Sequence, residues 1–111
     1  MADLNKYRAI MREVMSTYVP KKAKNGDIRT ELVVDETQNH FEVIDVGWKG
    51  DERVHHSVLH LDIINDKVWI QLNNTDQKIG EELVAAGIPR DDIVLGFHPA
   101  ELRKHTEFAV E

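Results

Sequence analysis

At residues 53–72 the chain reads RVHHSVLHLDIINDKVWIQL, and this stretch decides the fold. Its first part, 53–64, and its last part, 67–72, are short runs rich in β-branched and aromatic residues, which are typical of strands. Asn65-Asp66 stands between them as a two-residue turn of the kind found in tight hairpins. The two runs are therefore predicted to pair as antiparallel neighbours in one sheet.

Two further strands are predicted upstream of this hairpin. Residues 28–34 alternate between apolar and polar side chains, and residues 40–48 are again rich in apolar and aromatic ones. Polar loops at 35–39 and 49–52 separate the three strands. Because short loops join strands that are neighbours in space, the pattern predicts a four-stranded antiparallel meander.

Helical spacing is present on both sides of the strands. Residues 4–19 carry apolar side chains at three- and four-residue intervals, with Asp3 placed to cap the helix. A second helix is predicted at 76–86, capped by Thr75, and a short last one at 99–104. The chain, 1–111, is thus predicted to form a single α+β domain with its helices packed on one face of the meander.

Composition excludes several classes of protein. The chain has 111 residues, of which 41% are hydrophobic and 31% charged, enough for one modest core. The absence of cysteine excludes disulfides and thiolate metal sites and favours a reducing cytoplasm. No apolar run approaches the roughly 20 residues that span a membrane.

The charge balance argues against nucleic acid as a direct ligand. The formal net charge is −6, and the one basic cluster, Lys21, Lys22 and Lys24, lies beside a turn and is expected to be a solvated loop. Phosphate backbones attract concentrated positive charge. We therefore predict that the chain alone does not bind duplex DNA tightly.

Histidine and aspartate in the third strand raise the question of a metal site. His56, His60 and Asp62 resemble a ligand motif in spacing, but four residues of a strand span about 13 Å, too far for His56 and His60 to share an ion. His60 and Asp62 could share one if a neighbouring strand supplied a third ligand, for example His40 or Asp45. The pattern favours hydrogen-bonded histidines on a half-exposed sheet face, so no metal and no cofactor is predicted.

No arrangement typical of an active site is present in the sequence. Adjacent carboxylates such as Asp51-Glu52 fall in turns and helix ends, where acids are solvated, and there is no glycine-rich phosphate loop. Neither Ser16 nor Ser57 lies in a nucleophile-elbow pattern. The sequence predicts a binding protein with no catalytic residues. A metal-assisted hydrolase that uses His40, His60 and Asp62 is kept as the alternative.

The two tryptophans are candidates for core or interface positions. Trp48 is predicted to be a core residue because a buried aromatic contributes a large apolar area. Trp69 fits the core and an interface equally well, since tryptophan is enriched in both. If the helices cover one sheet face, the other is left open, and a homodimer is predicted to cover it.

Three stretches resemble those of a known family. They are Gly47-Trp48 with Asp51 and Arg53; His60-Leu61-Asp62-Ile63 with Lys67 to Gln71; and Gly87-Ile88-Pro89 through His98, followed by Arg103, Thr106 and Phe108 to Val110. The chain resembles the XisI family, the fdxN element excision controlling factors. It departs from the family at Phe41 and His105, where tyrosine is common, and at Ala100, where proline is common.

The resemblance implies a function in programmed excision of a DNA element during heterocyst differentiation. The family acts there with a site-specific recombinase and with a companion, XisH, which looks like an endonuclease-fold protein. The family has no established catalytic residues. The resemblance thus implies an accessory or controlling factor that binds an XisH-like protein, with an antitoxin-like regulator and a direct DNA-binding accessory factor as alternatives.

The C-terminal segment is the predicted partner-binding region. Residues 93–110 combine a short apolar run with Phe97, Arg103 and Phe108, and Trp69 is added as a candidate from the sheet. Aromatic and arginine side chains carry much of the binding energy at interfaces. The alternative is that this segment only closes the domain.

Overall fold

The computed structural model of the protein describes residues 2–20 and 27–111. In chain order the elements are α1 (Leu4–Ser16), β1 (Ile28–Asp35), β2 (His40–Lys49), β3 (Glu52–Ile64), β4 (Lys67–Asn73), α2 (Ile79–Ala86), a 3-10 turn (Arg90–Asp92), β5 (Ile93–Leu95) and α3 (Ala100–Arg103). This architecture confirms the predicted α+β class, with an N-terminal helix, a central sheet and C-terminal helices. The basic cluster at residues 21–24 lies outside the described residues.

The sheet has five strands in the order β1-β2-β3-β4-β5, and the first four form the predicted antiparallel meander. Asn65 and Asp66 have φ angles of 52° and 64°. Positive φ at both central residues identifies the tight two-residue hairpin turn that the sequence predicts. Hairpins favour this turn because its backbone twist matches the twist of the flanking strands.

The fifth strand corrects the predicted strand count. Ile93–Leu95 runs parallel to β4, with Val68 opposite Ile93 and Ile70 opposite Leu95. A parallel neighbour requires a crossover connection, and α2 lies within the connection between β4 and β5. The sequence of this strand is a short apolar run, which by itself does not distinguish a strand from a buried loop.

The two longer helices begin differently. Asp3 caps α1 as predicted, since its side chain accepts a hydrogen bond from the backbone N–H of Lys6. The predicted cap of α2 is wrong, because that helix begins at Ile79 with Lys78 in the cap position. The hydroxyl oxygen of Thr75 instead accepts the N–H of Gln77 within the preceding turn.

The core lies between one sheet face and the helices α1 and α2. Its fully buried side chains include Met11, Met15, Phe41, Leu59, Leu61, Ile70, Leu83 and Ile93. Tyr7 of α1 donates a hydrogen bond to the carboxylate of Asp92, and Tyr18, in the turn that follows α1, donates one to Glu82. These bonds tie the N-terminal segment to the C-terminal half of the chain. Burial, followed by the hydrogen bond to Asp92, raises the pKa of Tyr7 to about 12.

Two expectations about packing differ from the structure. Trp48 is 48% exposed and is not a core residue. It alternates with the buried Gly47 and so points away from the helices. The guanidinium of Arg53 lies 5.2 Å from the centroid of its ring. The helix α3 contributes no buried residue to the core that α1 and α2 form.

No helix in residues 2–20 and 27–111 is long and apolar enough to cross a membrane.

Candidate functional site

The sheet face that points away from α1 and α2, here called the open face, carries a cluster of polar side chains. His40 and Glu42 of β2 alternate with the buried Phe41, so they point to the open face. The antiparallel register places His40 opposite Asp62 and Glu42 opposite His60. These four residues, together with Gln71 of β4, are called the histidine cluster below.

Asp62 is the centre of the histidine cluster. Its Oδ1 lies 2.9 Å from Nδ1 of His40 and 3.1 Å from Nε2 of His60. The amide of Gln71 donates a hydrogen bond of 3.3 Å to the other carboxylate oxygen of Asp62. The two imidazole rings are 4.4 Å apart between centroids. One carboxylate therefore holds three side chains from β2, β3 and β4, and the histidines form the hydrogen-bonded group predicted for a half-exposed face.

The structure decides which residue, His40 or Asp45, could join His60 and Asp62 as a third metal ligand. His40, His60 and Asp62 each place one potential ligand atom within 4.8 Å of the others. Asp45 is directed to the other side of the sheet, where it accepts a hydrogen bond from Thr30 and lies 3.5 Å from Nε2 of His56. The three residues that gather are thus those named in the hydrolase alternative, and His56 is separate from them.

Trp69 and Arg103, two of the predicted partner-binding residues, contact each other beside this cluster. Trp69 pairs with Asp62 in the strand register, and the guanidinium of Arg103 lies 5.0 Å from its ring centroid. Arg103 also donates hydrogen bonds to the carbonyls of His98 and Val110, at 3.0 Å and 3.3 Å. The indole nitrogen of Trp69 is buried and has no hydrogen-bond partner among the described residues. Arg103 thus joins the C-terminal segment to β4.

Gly96 allows the C-terminal segment to approach the sheet closely. A Cβ atom at this position would lie 2.7 Å from Oε1 of Gln71 and 3.0 Å from the ring of Trp69. Only a residue without a side chain fits there without displacing Gln71 or Trp69. The segment that follows β5 therefore rests on a residue that also holds Asp62.

Phe97 and Phe108, the other two predicted partner-binding residues, line a shallow cleft of about 220 Å³ at the N-terminal end of α2. Phe97 is 46% exposed, whereas Phe108 is half-buried against Gly80. A Cβ atom at Gly80 would lie 2.9 Å from the ring of Phe108. Phe97 is thus free to contact a partner, while Phe108 and Arg103 also hold the C-terminal segment in place.

Sequence reasoning did not identify Glu42 and Gln71 as members of this site. A signal for both was present, because Glu42 alternates with Phe41 and Val43, and Gln71 follows the apolar Ile70. Their proximity to His60 and Asp62 depends on the pairing register, which includes irregularities at Val43/Ile44 and His60/Leu61. Alternation could have placed them on the open face, but it could not have placed them beside Asp62.

Comparison with known proteins gives matches over almost the whole chain. A family model described as XisI protein matches residues 1–110. The crystal structure of a XisI-like protein from Anabaena variabilis ATCC 29413 is 36% identical, with a TM-score of 0.92 over 98% of this chain and 100% of that one. The crystal structure of the fdxN element excision controlling factor XisI from the same organism is also 36% identical, with a TM-score of 0.82 over 97% and 98% of the two chains. No curated protein matches the chain significantly.

Proposed function

The chain belongs to the XisI family, and from this premise we propose that it is a non-catalytic controlling factor of DNA-element excision. The observation that supports this function is the likeness to the fdxN element excision controlling factor XisI, which extends over 97% of the chain at 36% identity. A likeness that spans both chains from end to end concerns the whole domain and not one shared motif.

The proposed mode of action is binding of a partner protein, an XisH-like chain. In this proposal the partner binds at the cleft lined by Phe97 and Phe108 and reaches the Trp69–Arg103 contact. Exposed aromatic side chains next to an apolar cleft are typical interface anchors. Through such a complex the chain would regulate its partner or assemble it with a site-specific recombinase. A homodimer through the open face stays a separate prediction.

Phe97 is the sharpest probe of this proposal because it is exposed and its loss leaves no cavity in the core. We expect Phe97→Ala to weaken the complex with an XisH-like protein about thirtyfold, equivalent to about 2 kcal/mol of binding free energy. Trp48→Ala is the matched control. Trp48 is an aromatic residue of similar exposure, but it lies near the end of β2 and does not line the cleft that contains Phe97. The two chains would be co-expressed, isolated as a complex and compared by calorimetry.

The outcomes of this experiment separate the function from the location of the surface. Failure of the two chains to form a complex would overturn the proposed partner. A complex that Phe97→Ala leaves unchanged and Trp48→Ala weakens would move the binding surface to the far end of the open face. Arg103→Ala and Phe108→Ala are expected to weaken binding as well, but both also remove contacts within the chain.

A further inference from the structure

Two imidazole nitrogens and one carboxylate oxygen converge on the open face. The ligand atoms of a zinc ion bound at about 2.0–2.2 Å lie roughly 3–3.5 Å apart. In the histidine cluster, Oδ1 of Asp62 is 2.9 Å from Nδ1 of His40 and 3.1 Å from Nε2 of His60. The three ligand atoms lie within 4.8 Å of one another, so rotation of the two imidazole side chains toward Asp62 would bring all three onto a single ion.

The surroundings of His40 favour a cation between it and Asp62. Its Nδ1 faces Asp62, and its Nε2 lies 3.6 Å from the carboxylate of Glu42. A neutral imidazole has a single N–H, so it can donate to one of these two carboxylates and turns a lone pair toward the other. A metal ion bound by Nδ1 would leave the N–H on Nε2, on the side where the carboxylate of Glu42 lies 3.6 Å away. Such carboxylate–histidine–metal arrangements are common around metal ions.

Asp62 is held in a similar way. Gln71 donates to its Oδ2. Oδ1 lies 2.9 Å from His40 and 3.1 Å from His60, and His60 is equally close to Oδ2, so Oδ1 is the oxygen that both histidines share. A hydrogen bond to one carboxylate oxygen orients the other toward the metal. The side chains of His40, His60 and Asp62 are 34%, 27% and 19% exposed, so an ion can reach them from solvent.

The donor set narrows the class of ion. Imidazole nitrogen suits zinc and its neighbours in the first transition row, whereas Ca²⁺ and Mg²⁺ prefer oxygen ligands alone. We propose that His40, His60 and Asp62 bind one divalent transition-metal ion, best matched by Zn²⁺, with a coordination position open to solvent. The ion would link β2 to β3. This inference does not depend on the proposed partner.

The test is direct titration of untagged protein that has been freed of metal by a chelator. Calorimetry with Zn²⁺ is expected to show one ion per chain. His60→Ala and Asp62→Asn are each expected to weaken binding tenfold or more. His56→Ala is the matched control. His56 is also a β3 histidine beside an aspartate, but that aspartate is Asp45 of β2 and not Asp62. It is expected to bind Zn²⁺ as the unchanged protein does.

Co²⁺ gives a second readout that does not depend on the variants. Its visible absorption bands report nitrogen and oxygen ligands in a site of low coordination number. The unchanged protein is expected to show these bands and to melt at a higher temperature with Zn²⁺, and Asp62→Asn to show neither effect. If His60→Ala does not fold, as judged by circular dichroism, His60→Gln replaces it.

Three results would overturn the metal site. The first is no stoichiometric binding of Zn²⁺ by the unchanged protein. The second is equal affinity in the unchanged protein and in both ligand variants. The third is an equal loss in His56→Ala, which would show that the ion does not distinguish this cluster from other surface histidines.

Discussion

His40 and Asp62 stand directly opposite each other on β2 and β3, with Nδ1 of the histidine 2.9 Å from Oδ1 of the aspartate. They are 22 positions apart in the chain. Their contact follows from the register of one hairpin, and it places the aspartate where His60 and Gln71 also reach it. Asp62 is therefore the residue on which the histidine cluster depends.

Replacement of Asp62 tests this dependence without any metal. In the presence of a chelator, Asp62→Ala is expected to lower the free energy of unfolding by about 1–3 kcal/mol, because three side chains lose their common acceptor. Asp62→Asn keeps one acceptor oxygen and should cost less. Asp51→Ala, in an exposed turn, is the control and should change stability by about 0.5 kcal/mol or less. Equal stability of all three variants in urea denaturation would contradict the prediction.

The exposure of Trp48 gives a contrast with the buried Phe41 of the same strand. Trp48→Ala is expected to lower the free energy of unfolding by less than about 1 kcal/mol, since no core contact is lost. Phe41→Ala should cost about 3–5 kcal/mol, because its side chain is fully buried. Denaturant melts of both variants measure these free energies of unfolding. A loss of several kcal/mol for Trp48→Ala would contradict the prediction and place the ring in an interface or in the core.

Tyr7 makes stability depend on alkaline pH. Burial and the hydrogen bond to Asp92 raise the pKa of Tyr7 from 10.0 to about 12. Between these values the unfolded chain loses the phenolic proton while the folded chain keeps it, so stability is full below pH 10 and falls as the pH rises toward 12. Tyr7→Phe should cost about 1 kcal/mol at neutral pH and flatten this decline. Tyr18, whose pKa burial also raises, would leave part of the decline in place.

Arg103 is expected to hold the C-terminal segment against the sheet. Arg103→Ala removes the contact with the Trp69 ring and two hydrogen bonds, at a cost of about 1 kcal/mol. Hydrogen exchange should then accelerate in residues 97–111 and stay unchanged in β1 and β2. Arg103→Lys keeps the cation and should give a smaller effect. Unchanged exchange in the segment would show that other contacts hold it.

The charge of the chain predicts that it does not bind duplex DNA tightly by itself. With a formal net charge of −6, the average surface repels phosphate. Titration of labelled duplex DNA, followed by anisotropy at low salt, should give no submicromolar binding. Tight binding that weakens steeply with added salt would instead support a direct DNA-binding accessory factor.

Much of this protein is determined by local sequence. Alternation in residues 28–34 and 40–48, the Asn65-Asp66 turn and the helical spacing after Asp3 predicted the first helix and the meander, and the structure confirms them. Alternation needs only that neighbouring strand residues point to opposite faces, and a two-residue turn needs only its own φ angles. The motifs of the family are likewise continuous stretches of chain.

The tertiary structure decided what depends on contacts between distant residues. The run at 93–95 became a strand because β4 offers a free edge once α2 has crossed over the sheet, and Trp48 is exposed because α1 and α2 do not cover its face. His40, His60 and Asp62 meet because the strand register, with its irregularities, sets which residues of β2 and β3 face each other. Local sequence fixes which way a strand residue points, but pairing and packing between separate elements determine what that residue meets.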